Sequence, residues 1–345
     1  MSEPSDRRFR ERVRGRLFPN WQRLLDERPE LEAQIHRLAT DLHRYKWFHD
    51  HVEDAGLVPY LNDDLNDTAR FLTWTPPGHF YSAVPAWGVV KPRADIVFDR
   101  TWREVPAVPI DEDEHAALLT TLSALWTDLD GVEAEPDRWR FDPANVAFNP
   151  ADARVFYGLL RHLRPARVIE VGSGHSSALL LDAIDRHLDP APAVTLVEPY
   201  PELVRSLLRD GDAERIEILE TPVQEVDLAR FAALEAGDVL FIDDSHVSKV
   251  DSDVNHLFFE VLPRLQPGVW VHVHDVFFPF EYPQDWVEEG RTWNEAYLLR
   301  AFLQFNPAFR VAFFSDVMKR SARLAAMPEA AVFAEGCGSI WLRRL

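Results

Sequence analysis

The sequence is short of residues that several classes of protein require. Cys337 is the single cysteine, which excludes an intrachain disulfide and a cysteine-based metal site. No run approaches the roughly 18 consecutive apolar residues of a membrane-spanning helix, and no apolar segment follows the arginine-rich start as a secretory signal would require. Lys and Arg number 37 against 57 Asp and Glu, and the net charge of −20 disfavours a nucleic-acid partner. We therefore expect a cytoplasmic protein with no membrane span.

What the sequence does contain is enough apolar material for a large core. Its 345 residues are 46% hydrophobic, which suits one large domain or two modest ones. From about residue 150, short apolar runs alternate with helical patterns, as in a parallel sheet with helices on both faces. We place the boundary there. Residues 1–150 are predicted to be a helical and irregular lid or acceptor-binding region, and residues 151–345 an α/β domain.

The first region contains an aromatic- and proline-rich segment with little periodicity, residues 57–110. Long ordered segments of this kind often act as lids or binding loops. His79 and Tyr81, within TPPGHFYS, are therefore candidates to line a pocket, with packing inside a small subdomain as the alternative. The basic stretch RRFRERVRGR at residues 7–16 could form an amphipathic helix on an anionic surface, although a solvated terminal helix is the simpler interpretation.

The stretch ARVIEVGSGHSS, residues 166–177, predicts a buried strand, a tight glycine turn and a helix start. Gly172 and Gly174 leave the backbone bare, and the helix N-terminus after them is electropositive. We interpret this junction as the floor of a nucleotide-type cofactor site. By itself it allows NAD, a flavin or S-adenosylmethionine.

The other predicted strands also end in polar residues. Since ligands of open α/β sheets bind at the carboxyl ends of the strands, we expect these residues to converge: Glu170, Glu198, Gln224, Asp243, His246, His274 and Asp275. A carboxylate at Glu198 can accept hydrogen bonds from both hydroxyls of a ribose, which NAD and S-adenosylmethionine share. The dinucleotide fingerprint has a third glycine where this chain has Ser177, and that difference weakens the NAD interpretation.

With these motifs in order, the stretch from about 150 to 345 resembles the class I S-adenosylmethionine-dependent methyltransferases of the bacterial small-molecule O-methyltransferase type. The motifs that carry the resemblance are VIEVGSGHSS, LVEP, DVLFIDDSH and LPRLQPGVWVHVHD, followed by a final pair of strands. The resemblance implies a Rossmann-like, seven-stranded, mostly parallel sheet whose last strand is antiparallel. It also implies methyl transfer from S-adenosylmethionine to a small-molecule acceptor.

The resemblance further implies roles for single residues. The residues that would hold the methionine end of the cofactor lie in the glycine turn and the helix start: Glu170, Gly172, Ser173, Gly174, Ser176 and Ser177. Glu198 would bind the ribose, Gln224 would lie near the adenine, and Asp243 would lie beside the transferred methyl group.

A hydroxyl acceptor is a poor nucleophile and needs a general base or a metal. Metal-dependent relatives have an acid at the Asp243 position and an acid pair after the fifth strand, where this chain has His274-Asp275. Because magnesium prefers oxygen ligands, the imidazole counts against a magnesium site. Two arrangements stay open: Asp243 and Asp275 bind a metal with His274 beside them, or His274 or His246 is the base, which we prefer.

Two neighbouring polar residues are predicted to have structural roles, His272 as a core histidine and Asp244 as a capping or solvated acid. The acceptor is expected to be a sugar or natural product. Aromatic loops around Phe80-Tyr81 and around Phe280-Glu281-Tyr282 favour a cyclic molecule with apolar and hydroxyl-bearing faces, such as a glycoside. An NAD-linked oxidoreductase on a similar sheet, and a cofactor-binding protein with altered or lost catalysis, are the alternative functions. Metal use and oligomeric state stay open.

Overall fold

A computed structural model describes residues 78–345, of which residues 83–345 form one compact unit. The predictions for residues 7–16 and for the rest of the chain before Gly78 lie outside the described residues. Within the described range, no helix combines the length and the apolar content needed to cross a bilayer. The compact unit begins at Ala83, so residues 83–150 pack with the sheet; their function as a lid stays a prediction.

One sheet of seven strands forms the centre of this unit, in the order β3-β2-β1-β4-β5-β7-β6. The strands are β1 Arg167–Val171, β2 Ala193–Val197, β3 Ile216–Leu219, β4 Val239–Ile242, β5 Trp270–His274, β6 Phe309–Phe314 and β7 Ser339–Arg344. Strands β1 to β5 are parallel, whereas β7 is antiparallel to both of its neighbours, β5 and β6. The predicted Rossmann-like α/β fold with an antiparallel last strand is confirmed.

Helices cover the sheet and connect its strands. They are α1 Trp87–Val90, α2 Ala94–Val97, α3 Glu112–Ser123, α4 Pro150–Leu163, α5 His175–His187, α6 Glu202–Leu207, α7 Leu228–Ala232, α8 Asp253–His256, α9 Gln284–Glu288, α10 Glu295–Leu303, α11 Val317–Arg320 and α12 Ala322–Ala325. Short 3₁₀ segments lie at Lys91–Arg93, Thr127–Ala134, Pro136–Arg138, Val223–Glu225, Leu262–Arg264 and Pro328–Phe333, and a π-helical turn at Leu257–Val261.

Helix α4 begins as predicted. The Asn149 side chain accepts hydrogen bonds from the backbone N–H groups of Ala151 and Asp152, and Pro150 occupies the first helical position. The helix ends where Arg164 adopts a left-handed conformation, and the chain then enters β1. The helix predicted over residues 252–264 is less regular. It passes from α8 into a π turn and a 3₁₀ turn, and Pro263, which has no backbone N–H to donate, lies in the last of these.

Strands β4 and β5 end earlier than the apolar pattern predicts. The pattern extends over residues 238–246 and 268–277, yet β4 stops at Ile242 and β5 at His274. His246 and Asp275 have φ angles of 57° and 52°, which no strand can accommodate. Their side chains are therefore carried by loops at the sheet edge.

Candidate functional site

The turn after β1 brings two pieces of backbone into close approach. Gly172 has a φ of +79°, and a Cβ atom there would lie 1.8 Å from the backbone oxygen of Asp243. The next glycine, Gly174, packs against Leu203, which a Cβ would approach to 3.1 Å. Gly172 is thus required by space, whereas a side chain at Gly174 would only displace the end of Leu203 by a few tenths of an ångström. The turn presents bare backbone at the start of α5.

Glu170, in β1, bonds to the side chains that follow the glycine turn. It is completely buried, and its carboxyl accepts hydrogen bonds from the hydroxyls of Ser176 and Ser177, the latter at 2.8 Å. The Ser177 hydroxyl in turn accepts from the backbone N–H of Gly174. Burial raises the pKa of Glu170 to about 8. The predicted contacts of these three side chains with the methionine end of a cofactor stay predictions, since their polar atoms bond to one another.

Glu198, at the end of β2, reaches the same turn. Its carboxylate accepts the backbone N–H groups of Ser173, at 3.0 Å, and Tyr200, at 2.8 Å. A carboxylate has further lone pairs, so it can also accept hydroxyl donors. In the glycine turn and at the start of α5, the Ser173 hydroxyl and the Nδ1 atom of His175 are buried with no hydrogen-bond partner within residues 78–345. Such unpartnered polar atoms fit a site for a polar ligand. The sequence interpretation did not single out His175, whose only signal is its place in the first turn of α5.

Gln224 lies in the 3₁₀ turn after β3. Its side-chain amide donates a 2.7 Å hydrogen bond to the backbone oxygen of Asp251. This contact connects the turn after β3 with the loop after β4. A contact between Gln224 and an adenine ring stays a prediction.

Three side chains from adjacent strand ends form a cluster, which we call the candidate reaction centre: Asp243, His246 and Asp275. The Nε2 atom of His246 lies 3.5 Å from Asp243 Oδ1 and 3.5 Å from Asp275 Oδ2. Burial alone would lower the pKa of His246, but Asp243 and Glu295 outweigh it and hold the pKa well above its usual value. Burial would likewise raise the pKa of Asp243, yet His274 and His246 outweigh it and lower that pKa.

A second pair of acids holds the other side of His246. Its Nδ1 atom lies 2.9 Å from Glu295 Oε2, and its backbone N–H donates to Asp244 Oδ1. Asp244 caps the loop as predicted but is fully buried, and burial raises its pKa well above the usual value. Sequence reasoning missed Glu295, because 49 residues separate it from His246 and nothing local pairs them.

His274 and His272 are buried in β5, next to the candidate reaction centre. His272 is completely buried, as predicted, and stacks on Phe241 at 3.9 Å. Burial lowers the pKa of His272 well below its usual value. Its Nε2 atom lies 3.2 Å from His274 Nδ1, while His274 Nε2 is 3.8 Å from Asp275 Oδ1. The structure therefore places His246, rather than His274, between the two acids.

The residues of the candidate reaction centre could also hold a metal ion. One donor atom from each of Asp243, His246 and Asp275 lies within 4.8 Å of the others. Two carboxylate oxygens and one imidazole nitrogen suit a divalent transition metal better than magnesium. The metal candidates predicted from sequence, Asp243 and Asp275, are thus brought together, with His246 as the third donor.

A cavity of about 390 Å³ with aromatic walls adjoins this cluster through Trp293, whose ring centroid is 4.5 Å from that of His246. Its lining includes Phe98, Tyr282, Trp293 and Tyr297, together with Glu281 and Arg291. The hydroxyl of Tyr282, a predicted substrate-binding residue, accepts the backbone N–H of Ala296 at 3.1 Å. A larger cavity of about 620 Å³ contains none of the strand-end residues. It is lined by residues between Trp102 and Asp113 and by Arg323.

The other two predicted substrate-binding residues, His79 and Tyr81, precede the compact unit. Tyr81 is 70% exposed, and its ring packs on Phe80 and His79. Their place in an acceptor site stays a prediction.

Comparison with known proteins supports the interpretation of the sheet edge. A family described as "Methyltransferase domain" matches residues 169–276, the stretch that contains Glu170, Asp243 and Asp275. An uncharacterized protein of Archaeoglobus fulgidus is 32% identical over 166 residues, which are 46% of this chain and 73% of that protein.

Several solved structures match this chain at low similarity. The O-methyltransferase TomG of Streptomyces achromogenes is 15% identical, with 75% of this chain and 96% of that chain covered and a TM-score of 0.38. An O-methyltransferase of Bacillus cereus is 14% identical, with 75% and 97% covered and a TM-score of 0.37. Because these TM-scores are low, the identification of a methyltransferase domain comes from the family match and not from these structures.

Proposed function

The chain belongs to the class I S-adenosylmethionine-dependent methyltransferases, and from this we propose that it methylates a hydroxyl group of a small cyclic molecule, with His246 as the general base. The observation that carries the proposal is the position of His246 Nε2, 3.5 Å from both Asp243 and Asp275 at the ends of β4 and β5. The NAD-linked oxidoreductase and the non-catalytic protein considered from sequence are not supported by the family match.

S-Adenosylmethionine supplies an electrophilic methyl group on a positively charged sulfur. The glycine turn and the free N–H groups of the first turn of α5 would hold its methionine end, Glu198 its ribose and Gln224 its adenine. The unpartnered Ser173 hydroxyl and His175 Nδ1 support a ligand at this place. The carboxylates around His246 favour the positive sulfur near the candidate reaction centre.

The acceptor hydroxyl must lose its proton as it attacks the methyl group. We assign this step to His246 Nε2 in its neutral form, and a positioned base of this kind contributes about 10²–10⁴-fold to the rate. Because the neighbouring acids hold the pKa of His246 well above its usual value, turnover should rise with pH as the ring loses its proton. His274 is less well placed, because its Nδ1 atom lies 3.2 Å from His272 Nε2 and its Nε2 atom lies 3.8 Å from Asp275 Oδ1. Asp243, His246 and Asp275 could instead bind a divalent cation, which would activate the hydroxyl by lowering its pKa.

The aromatic cavity supports a cyclic acceptor. Rings such as Tyr282 and Trp293 bind flat apolar faces, while Glu281 and Arg291 offer groups of opposite charge at the same wall. A molecule with a flat apolar face and several hydroxyls, such as an aryl glycoside, matches this lining. Trp293 borders both the cavity and His246, so a ring bound there could direct a hydroxyl at the base.

The cofactor assignment is tested by isothermal titration with S-adenosylmethionine and S-adenosylhomocysteine, and we expect both to bind. The absence of heat from either would contradict it. Transfer of a radiolabelled methyl group to a panel of phenyl glycosides then tests the reaction, where His246→Gln should lower turnover about 10²–10⁴-fold with cofactor affinity retained. Turnover that EDTA abolishes and Mn²⁺ restores would assign the cluster to metal binding instead of base catalysis.

A further inference from the structure

The segment Trp293-Asn294-Glu295 holds His246 from three directions. The Trp293 ring packs on the imidazole, with 4.5 Å between centroids. The backbone N–H groups of Asn294 and Glu295 both donate to the backbone oxygen of His246, at 3.0 and 3.2 Å. The Asn294 side chain also accepts the N–H of Ser248, two residues farther along the loop. Since His246 has a positive φ of 57°, which is unfavourable for a residue with a side chain, the loop needs such support.

Glu295 supplies the contact that bears on the imidazole itself. It is the first residue of α10 and is 1% exposed, while His246 is 5% exposed. A carboxylate oxygen 2.9 Å from Nδ1 accepts a hydrogen bond from an N–H group at that position. Glu295 is closer to Nδ1 than Asp243 and Asp275 are to Nε2, at 2.9 Å against 3.5 Å. In a neutral ring this shorter contact favours the tautomer with the proton on Nδ1, which leaves the lone pair on Nε2. That nitrogen is the one that faces Asp243 and Asp275.

Packing alone does not account for this carboxylate. The other oxygen of Glu295 is buried without a hydrogen-bond partner in the described part of the chain, and so is one oxygen of Asp244 beside it. A buried carboxyl with an unpartnered oxygen is unfavourable for stability. An acid at such a position therefore fits a functional role better than a stabilising one.

We propose that Glu295 is a positioning residue that holds the His246 ring with its proton on Nδ1 and the Nε2 lone pair directed into the candidate reaction centre. The inference rests on the proposed function for the meaning of that lone pair. It applies equally to a base and to a metal ligand, because both require an unprotonated Nε2. Carboxylates that orient a functional histidine in this way typically contribute 10–100-fold to activity or metal affinity.

The test reads the tautomer directly. In enzyme labelled with ¹⁵N-histidine and saturated with S-adenosylhomocysteine, the His246 ring signals are assigned by comparison with H246Q and recorded at a pH where the ring is neutral. We expect the wild-type proton on Nδ1. Glu295→Leu, which has a similar volume and no acceptor, should shift a large part of the population to the Nε2–H tautomer. Glu295→Gln, which retains an oxygen acceptor, should preserve more of the wild-type form than Glu295→Leu.

Activity provides the second measurement, with the phenyl glycoside that the wild-type enzyme methylates fastest. We expect Glu295→Leu to lower kcat 10–100-fold with S-adenosylhomocysteine affinity within twofold of wild type, while Glu260→Gln, in an exposed ion pair with Arg264, changes neither. A wild-type proton on Nε2, or a folded Glu295→Leu enzyme with wild-type tautomer and kcat, would overturn the inference. If His246→Gln leaves kcat unchanged, the proposed base is wrong, and the tautomer measurement still decides the role of Glu295.

Discussion

Single residues in this protein have pKa values that depend on their surroundings more than on their chemical type. His246 lies among acids that raise its pKa, while burial lowers the pKa of His272, two residues from His274 in the same strand. Glu170 is the acid with the clearest consequence, since burial raises its pKa to about 8. At neutral pH most molecules therefore have a protonated Glu170, so the carboxyl that bonds to Ser176 and Ser177 after the glycine turn is neutral.

We expect Glu170 to make stability depend on pH. Between its ordinary value of 4.5 and the folded value of about 8, the unfolded chain releases a proton that the folded chain keeps. Folding is therefore favoured at the acid end of this window, and stability falls as pH rises through it, by up to about 5 kcal/mol for a shift of this size. Glu170→Gln should reduce this slope in urea unfolding followed at several pH values. An unchanged slope would refute the assignment, and the exposed Glu260→Gln is the control.

At the scale of elements, a buried arginine connects the segment before α4 with helix α5. Arg140 bonds to Asp182, at 3.0 Å, and to Asp212, at 2.7 Å, and all three side chains are nearly inaccessible to solvent. Asp182 also accepts the backbone N–H groups of Arg140 and Phe141. Helix α5 begins at the glycine turn, so this network holds in place the helix whose N-terminus forms part of the proposed cofactor site.

Arg140→Met should therefore be strongly destabilising. It leaves Asp182 buried without its cation and Asp212 with only the longer, 3.7 Å contact to Arg215. The loss is about 3–5 kcal/mol in comparable pairs. Arg230→Met is the matched control, because the Arg230–Glu217 pair is exposed on both sides and such pairs contribute about 0–1 kcal/mol. The free energies of unfolding of both variants in urea provide the comparison. Equal losses would show that burial of the Arg140 network has no special weight.

At the scale of the whole molecule, the sheet order explains why the site forms at one edge. Strands β1 and β4 are neighbours at the centre, and β2 and β5 flank them. The chain crosses over between β3 and β4, which is the kind of reversal where open α/β sheets bind ligands. Glu198, Asp243 and Asp275 come from three of these strands, so a ligand that contacts them all would connect distant parts of the chain.

We therefore expect cofactor binding to stabilise the protein as a whole. At a concentration of S-adenosylhomocysteine one hundred times its Kd, the free energy of unfolding should rise by about 2.7 kcal/mol. Thermal unfolding with and without ligand measures the effect. Glu198→Ala should diminish the shift at the same ligand concentration, and NAD should cause none. A shift with NAD equal to that with S-adenosylhomocysteine would contradict the assignment of the cofactor.

Local patterns in the sequence were sufficient for the strand and helix order and for the glycine turn. Apolar periodicity and glycine spacing act over a few residues, so they can be recognised without a partner. The tertiary structure decided where His246 and Asp275 lie, because the positive φ angle of each residue places it in a loop and not in the predicted strand. The contact of His246 with Glu295 depends on packing across 49 residues, and no local pattern encodes a contact at that separation.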